Sequence, residues 1–389
     1  MPENQSIEPL KPMNNNPSGK SRLIHTNAMI ADVSPSQRCS GNPQRRLGGV
    51  FSVIKNLRGM CVVVALAAGV HTAMADETAL FKAIQTSSDW TAAALPGTWK
   101  TVSADPMIYS QKETTPVFGY TPKRIIVFCR NSNVYEAEIV YMQTGYNIWN
   151  KKMTAADKQA YADSLKQMET DLPAALTRIT GKPGTPVTLT ANALNFSFNA
   201  TDFSFAGLTL RLYIEEGKTV ALFISKPEDA PTNLLQITSP DDRRAALAKN
   251  VVRKPNGDVV IAHLPVIDQD GRPDCGPACW TEVARYYGLN VFQEMMLSDR
   301  RDGGKGIDGA AALKKDWETK FDFAKVQTSI DSGNPIWFDE HGHVALITGY
   351  NAAANEVFRT DSWGEGSRNK AVPVDKFIPK ALGFIYFVP

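Results

Sequence analysis

The sequence predicts an α+β protein in two parts: an N-terminal α+β domain, and a C-terminal α+β domain with a cysteine at a helix start and a histidine at a strand entrance. Three observations lead there. From residue 76 to 230, runs rich in β-branched and aromatic residues flank one long stretch of helical periodicity. Residues 231–255 then mix Pro, Asp, Lys and Asn around a short helical stretch from Asp241 to Lys249, the composition of an interdomain linker. Beyond residue 256 a cysteine stands at the start of a helix, and a histidine leads an apolar strand downstream of it. A chain of 389 residues, 43% hydrophobic and 21% charged, is long enough for two such cores. The formal charge of +2 gives no overall attraction to nucleic acid or to an anionic membrane.

Residues 1–75 are expected to be a disordered extension followed by a signal peptide. The first 49 are rich in Asn, Pro, Ser and Arg without hydrophobic periodicity. Lys55 and Arg58 precede the apolar run from Cys61 to Val70, and Ala73-Met74-Ala75 stands before Asp76-Glu77. A basic region, a short apolar core and an A-x-A site together predict export, periplasmic or secreted, with cleavage after Ala75. The run is too short to span a hydrocarbon core of roughly 30 Å, so no stable membrane insertion is expected after cleavage. The unusual length ahead of it reads as an over-extended translation start, with the working start near residue 50 or 60. Leu47-Gly48-Gly49 has the form of a double-glycine processing site, but such pairs are common. After cleavage only Cys129, Cys275 and Cys279 of the five cysteines remain, too few for a disulfide framework.

In the N-terminal domain, residues 76–92 read as a helix. Strands follow at 124–129 and 134–141, split by an Asn-Ser-Asn turn. Thr154-Ala-Ala-Asp157 opens a helix with a capping box, Tyr161, Leu165, Met168, Leu172 and Leu176 give it one buried face, and Gly181 ends it. Further strands are expected at 186–192, 194–199, 207–214 and 219–225, with Glu215-Glu-Gly-Lys218 as a hairpin turn. Phe196, Phe198, Phe203 and Phe205 read as one face of a core. No cluster of His, Cys, Asp or Glu and no phosphate loop gives this domain a role. Propeptide-like restraint of the C-terminal domain, substrate presentation and plain scaffolding all remain open to it.

Residues 256–389 carry the chemistry. Val259 to Pro265 reads as a strand, with His263 as a structural histidine inside it. A polar loop leads to Cys275-Gly-Pro-Ala-Cys-Trp-Thr-Glu-Val-Ala-Arg-Tyr-Tyr-Gly288, a helix with Pro277 in its first turn and Gly288 as its cap. Cys275 therefore sits where unpaired N–H groups and the helix dipole favour a thiolate, the attacking form of the side chain. His343-Val-Ala-Leu-Ile-Thr-Gly-Tyr350 is an apolar strand with the imidazole at its entrance. A turn from Asn351 to Asn355 and a strand at 356–360 would bring Asp361, in Asp361-Ser-Trp-Gly364, back beside His343.

Gln269, Cys275-Gly-x-Ala-Cys279 and the Tyr286-Tyr-Gly288 terminus resemble the double-glycine-leader (bacteriocin-processing) peptidases of bacteria, a branch of the papain-like cysteine peptidase superfamily. The His343 strand and Asp361-Ser-Trp-Gly364 are similar to the corresponding segments of that superfamily, with Asp where papain-like enzymes often carry Asn. The likeness covers the C-terminal third only. It implies an α+β papain-like fold, with a helix carrying Cys275 packed on a small antiparallel sheet carrying His343 and Asp361, and a cysteine peptidase that hydrolyses peptide bonds; the signal peptide makes it an exported one. Cys275 would be the nucleophile, His343 the base and then the acid, Asp361 the orienting group, and Gln269 an oxyanion donor beside the Cys275 N–H. It implies a protein or peptide substrate, with no metal and no organic cofactor. Two other readings keep this fold: an amidase or acyltransferase acting on cell-wall peptides, and a non-catalytic binding module. A zinc-stabilised module would use Cys275, Cys279, His341 and His343, leaving Gln269 and Asp361 unexplained. Cys279, one turn inside the helix, reads as core, His341 as a solvated neighbour, Trp363 as a core or ring-shielding aromatic, and Gly303-Gly-Lys-Gly306 as a turn.

Overall fold

A computed structural model describes residues 79–112, 114–144, 153–191, 196–237, 239–269, 274–296 and 314–388. The extension, the signal peptide, most of the polar loop before Cys275 and the Gly303–Gly306 turn lie outside the described residues.

The first sheet is antiparallel and eight-stranded. Its strands are β1 (Lys100–Ala104), β2 (Met107–Gln111), β3 (Arg124–Arg130), β4 (Asn133–Gln143), β5 (Thr185–Ala191), β6 (Phe196–Phe205), β7 (Leu208–Glu215) and β8 (Thr219–Ser225). Their spatial order is β1-β2-β3-β4-β8-β7-β6-β5. The helix Ala155–Thr180 crosses from β4 to β5. Thr154 and Asp157 form the capping box that starts it, and Gly181, at φ 71°, ends it in the left-handed conformation that glycine adopts without strain. Leu165, Leu172 and Leu176 are fully buried on its inner side, each stabilising the fold by about 2 kcal/mol. They pack with Ile125, Val127 and Ile139 of the sheet. The alternate residues Ile126 and Phe128 face the other way and join a second cluster, as the two-residue period of a strand requires.

That second cluster runs into the C-terminal region, where Phe223 of β8 stacks on Phe292 at 3.7 Å between ring centroids. The first sheet thus buries both faces: one cluster lies wholly within residues 80–224, and the other is shared with the C-terminal region. The segment 231–255, expected as a linker, carries the helix Pro240–Ala248 and buries Leu234, Leu235 and Leu247 in the shared cluster.

Three other expectations change in detail. Within 76–92 only residues 79–86 are helical among those described, and Ser87 turns away at φ 46°. The hairpin β1–β2 was not anticipated. Phe198 packs in the shared cluster while Phe203 and Phe205 pack on the helix side. An odd spacing of five along β6 puts Phe198 and Phe203 on opposite faces.

The second sheet comprises β9 (Val251–Arg253), β10 (Asp258–Ile261), β11 (Lys314–Glu318), β12 (Ile336–Glu340), β13 (His343–Asn351), β14 (Glu356–Thr360), β15 (Lys370–Pro373) and β16 (Ala381–Val388). The order is β11-β16-β12-β13-β10-β9, with β14 and then β15 added beside β13. Leu346 and Ile347 pair with both β12 and β14, and Gly349 and Tyr350 with both β10 and β14. A strand has two edges, so β12 and β10 follow one another along one edge of β13 and β14 occupies the other. Gly349 is required at that crossing, since a Cβ there would meet the Val259 carbonyl oxygen at 2.5 Å. All described residues fall in one compact unit.

Candidate active site

Cys275 is the first residue of the helix Cys275–Tyr286, which packs on β13. Ala278, Cys279 and Val283 give the helix a fully buried face. Trp280 stacks on Trp337 of β12 and meets Phe387 of β16 edge-on. The helix axis is thereby fixed against three strands of the second sheet, and its N-terminus ends at the mouth of β13, where His343 begins that strand.

The β13–β14 hairpin places Leu346 opposite Thr360, so the residue after β14 returns to the end where β13 starts. That residue is Asp361. Its Oδ1 lies 2.6 Å from His343 Nε2. Arg359 donates to the other carboxylate oxygen from Nε at 3.0 Å and from Nη2 at 2.6 Å, and also pairs with Glu340 at 2.7 Å. With Nε2 on Asp361, the ring's Nδ1 remains to serve the hydrogen bond between His343 and Cys275. Sequence reasoning missed Arg359. Its signal was present, because a residue two positions before Asp361 on a strand points to the same side.

Gln269 comes to the same place along another path. Its backbone N–H donates to the Ser362 carbonyl at 2.9 Å, and the Ser362 hydroxyl donates to Gln269 Oε1 at 2.7 Å. An amide whose oxygen accepts there turns its NH₂ group to its other side. Two residues earlier, the Ile267 N–H donates to Glu282 Oε1 at 2.8 Å. Glu282 is a fully buried residue of the Cys275 helix, and burial pushes its carboxyl well above the ordinary value. The Glu282 carboxyl therefore ties the Gln269 loop to the Cys275 helix.

Opposing effects act on each ionisable group. Burial alone would raise the Cys275 thiol; its bond to His343, together with the backbone at Val344 and Gly276, outweighs burial and leaves it lowered. The His343 imidazolium is favoured first by Asp361 and then by Cys275, and its pKa is pushed up to about 9. Burial raises Asp361 as well, but His343 and Arg359 hold it below the ordinary carboxylate value. The arrangement favours a thiolate beside an imidazolium.

The other sequence candidates separate from this group. Cys279 is fully buried, burial pushes its thiol well up, and its sulfur lies 3.7 Å from the Val344 carbonyl oxygen. His341 is exposed. Among the described residues no three His, Cys, Asp or Glu side chains are grouped to hold a metal. His263 is not inside a strand: it follows β10 at φ 60°, with Nδ1 2.7 Å from Asp105. Trp363 is not core, being 52% exposed, and it lies on the His343 ring with centroids 5.9 Å apart. Beside it opens a cleft of about 300 Å³ lined by Arg359, Asp361, Trp363, Gly366, Ser367 and Lys370. A larger cavity of about 530 Å³, lined by Asp105, Arg130, Tyr135 and His263 among others, contains none of the four site residues. Of these two, only the smaller cleft reaches a member of the group.

Residues 262–380 match the Peptidase_C39 like family. The C-terminal region is thus related to the papain-like C39 peptidases, and the match points to a cysteine peptidase type of function. No curated protein and no solved structure matches the chain.

Proposed function

We propose that this protein is a cysteine peptidase that cleaves peptide bonds through Cys275, His343 and Asp361, with Gln269 as an oxyanion donor. The observation that carries this reading is the position of His343, which bonds to Cys275 on one side and to the Asp361 carboxylate on the other. Cys275 Sγ attacks the scissile carbonyl carbon, and the carbonyl electrons move onto oxygen. The Gln269 amide and the Cys275 N–H stabilise that oxyanion. His343 then gives its proton to the leaving amine, and the C–N bond breaks to leave a thioacyl enzyme. The leaving amine must lie on the histidine side, so the cleft beside Trp363 receives the departing segment. Water next gives a proton to His343 and attacks the thioester. The carboxylic acid leaves and the thiolate returns.

The test is alkylation of the full chain by iodoacetamide between pH 4 and 9, with mapping of the labelled thiol. The reading expects Cys275 to react fast well below the ordinary thiol range of roughly 8.5, and His343→Ala to abolish that advantage. Labelling of Cys275 only at alkaline pH, or of Cys279 first, would overturn it.

Export is a second part of the proposal. It is supported by Lys55 and Arg58, the apolar run to Val70 and Ala73-Met74-Ala75. Sequencing the N-terminus of the protein from outside the cytoplasm should find Asp76; an uncleaved chain retained in the cytoplasm would refute export.

A further inference from the structure

We propose that the N-terminal sheet is a working part of the active site, in which Lys100 and Arg124 are positioning residues that hold Asp268 from its two ends and so present Gln269 to the oxyanion. This rests on the reading of Cys275 as nucleophile and Gln269 as donor.

Asp268 immediately precedes Gln269. Arg124, on β3, donates from Nη1 to the Asp268 carbonyl oxygen at 3.0 Å. The guanidinium is itself held, donating from Nη2 to Gln293 and to Glu294 at 3.3 Å each, and the residue is 1% exposed. A buried cation pinned by a buried carboxylate has few alternative positions, so the carbonyl it grips is fixed with it. Lys100, on β1, takes the other end of Asp268: Nζ lies 2.6 Å from the carboxylate. The same ammonium borders Gly364 of the Asp361-Ser-Trp-Gly segment, where a Cβ would come within 3.4 Å of Nζ.

β1 is the edge strand of the first sheet and bonds to both loops of the site. Ser103 Oγ accepts from the Val266 N–H at 3.2 Å and from Arg368 Nη2 at 2.8 Å. The Ala104 N–H donates to Glu365 Oε2 at 2.8 Å. Arg368 closes the set by donating from Nη1 to the Leu264 carbonyl at 2.6 Å. The loop carrying Gln269 and the loop carrying Asp361 are thus fastened to one strand of a different sheet. An error of about 1 Å in a catalytic group can cost roughly 100-fold in rate, so such fastening has a direct kinetic consequence.

Two small probes separate positioning from general integrity without an identified substrate. p-Nitrophenyl acetate acylates a thiolate through a tetrahedral oxyanion, whereas iodoacetamide alkylates it at a saturated carbon without one. In the full chain, Lys100→Met should lower Cys275 acylation about tenfold while the alkylation rate and its pH profile stay at wild-type values, and Lys100→Arg should restore acylation. Arg124→Lys should lower acylation more, by about 30-fold, with thermal melting recording whether the variant folds. Unchanged acylation in Lys100→Met overturns the proposal, and so does an equal fall in both rates. If wild-type Cys275 shows no reactive thiolate at all, the underlying reading fails first and the proposal with it.

Discussion

Cys129 in the first sheet and Cys275 at the start of the helix packed on the second are both buried, at 3% and 9% exposure, and their thiols shift in opposite directions. Cys129 lies on β3, where burial pushes its thiol up to about 12, with Asp89 adding to the rise. Cys275 experiences the same penalty of burial and ends lowered, because His343 and two backbone sites answer it. The difference lies in how the sheets end. The first sheet is covered on both faces by apolar clusters. The second stops β13 and β14 at a common edge where a charged group can meet a partner. Burial makes a thiol inert, and a partner at the burial boundary makes it reactive.

Removing each sulfur is the strongest way to break this comparison. Cys275→Ala should lower the rate of peptide cleavage by about 10,000-fold or more, whereas Cys129→Ala should leave the rate unchanged and cost about 1 kcal/mol of stability. Activity assays beside urea denaturation would measure both; comparable activity losses would erase the contrast.

The pH profile sharpens it further. His343 keeps its proton up to about pH 9, so alkylation of Cys275 should be fast from below the ordinary thiol range and cleavage should decline above about pH 9. Asp361→Asn removes the main cause of that rise, so the alkaline decline should move to lower pH and the rate should fall about 100-fold. Stability carries the same sign. A histidine raised above its unfolded value of 6.5 stabilises the fold fully below pH 6.5, and that contribution is lost as pH rises through about 9. Urea midpoints of wild type and His343→Ala should converge between those limits; parallel curves would refute the assignment.

The smallest expected effect belongs to Trp363→Ala. Loss of the ring beside His343 should reduce the rate about threefold with little change in melting temperature. A loss as large as that of Asp361→Asn would mean that Trp363 does more than cover the imidazole.

The places of Cys275, His343 and Asp361 in the fold were legible in sequence because each sits in a short local pattern: a helix start, a strand entrance and the residue after a hairpin. The capping box at Thr154 and the hairpin at Glu215 were legible for the same reason. Arg359 could have been read from strand periodicity and was not. The grip on Asp268 could not be read: Lys100 and its partner are 168 residues apart, and nothing local in a β1 that pairs through a bulge marks its lysine. The shared core escaped for a related reason. Strand alternation shows that a face is apolar, but not whether a helix or a second sheet will cover it.

β16, the last strand described, lies in the interior of its sheet between β11 and β12, and its Phe387 supports Trp280 on the Cys275 helix. During synthesis the Cys275 helix leaves the ribosome long before that strand does. The nascent chain therefore carries its cysteine without the platform that aligns it, and on the proposed reading the capacity to cut would arrive only when translation has passed β16. An enzyme so arranged would be protected in time from attacking its own unfinished fold.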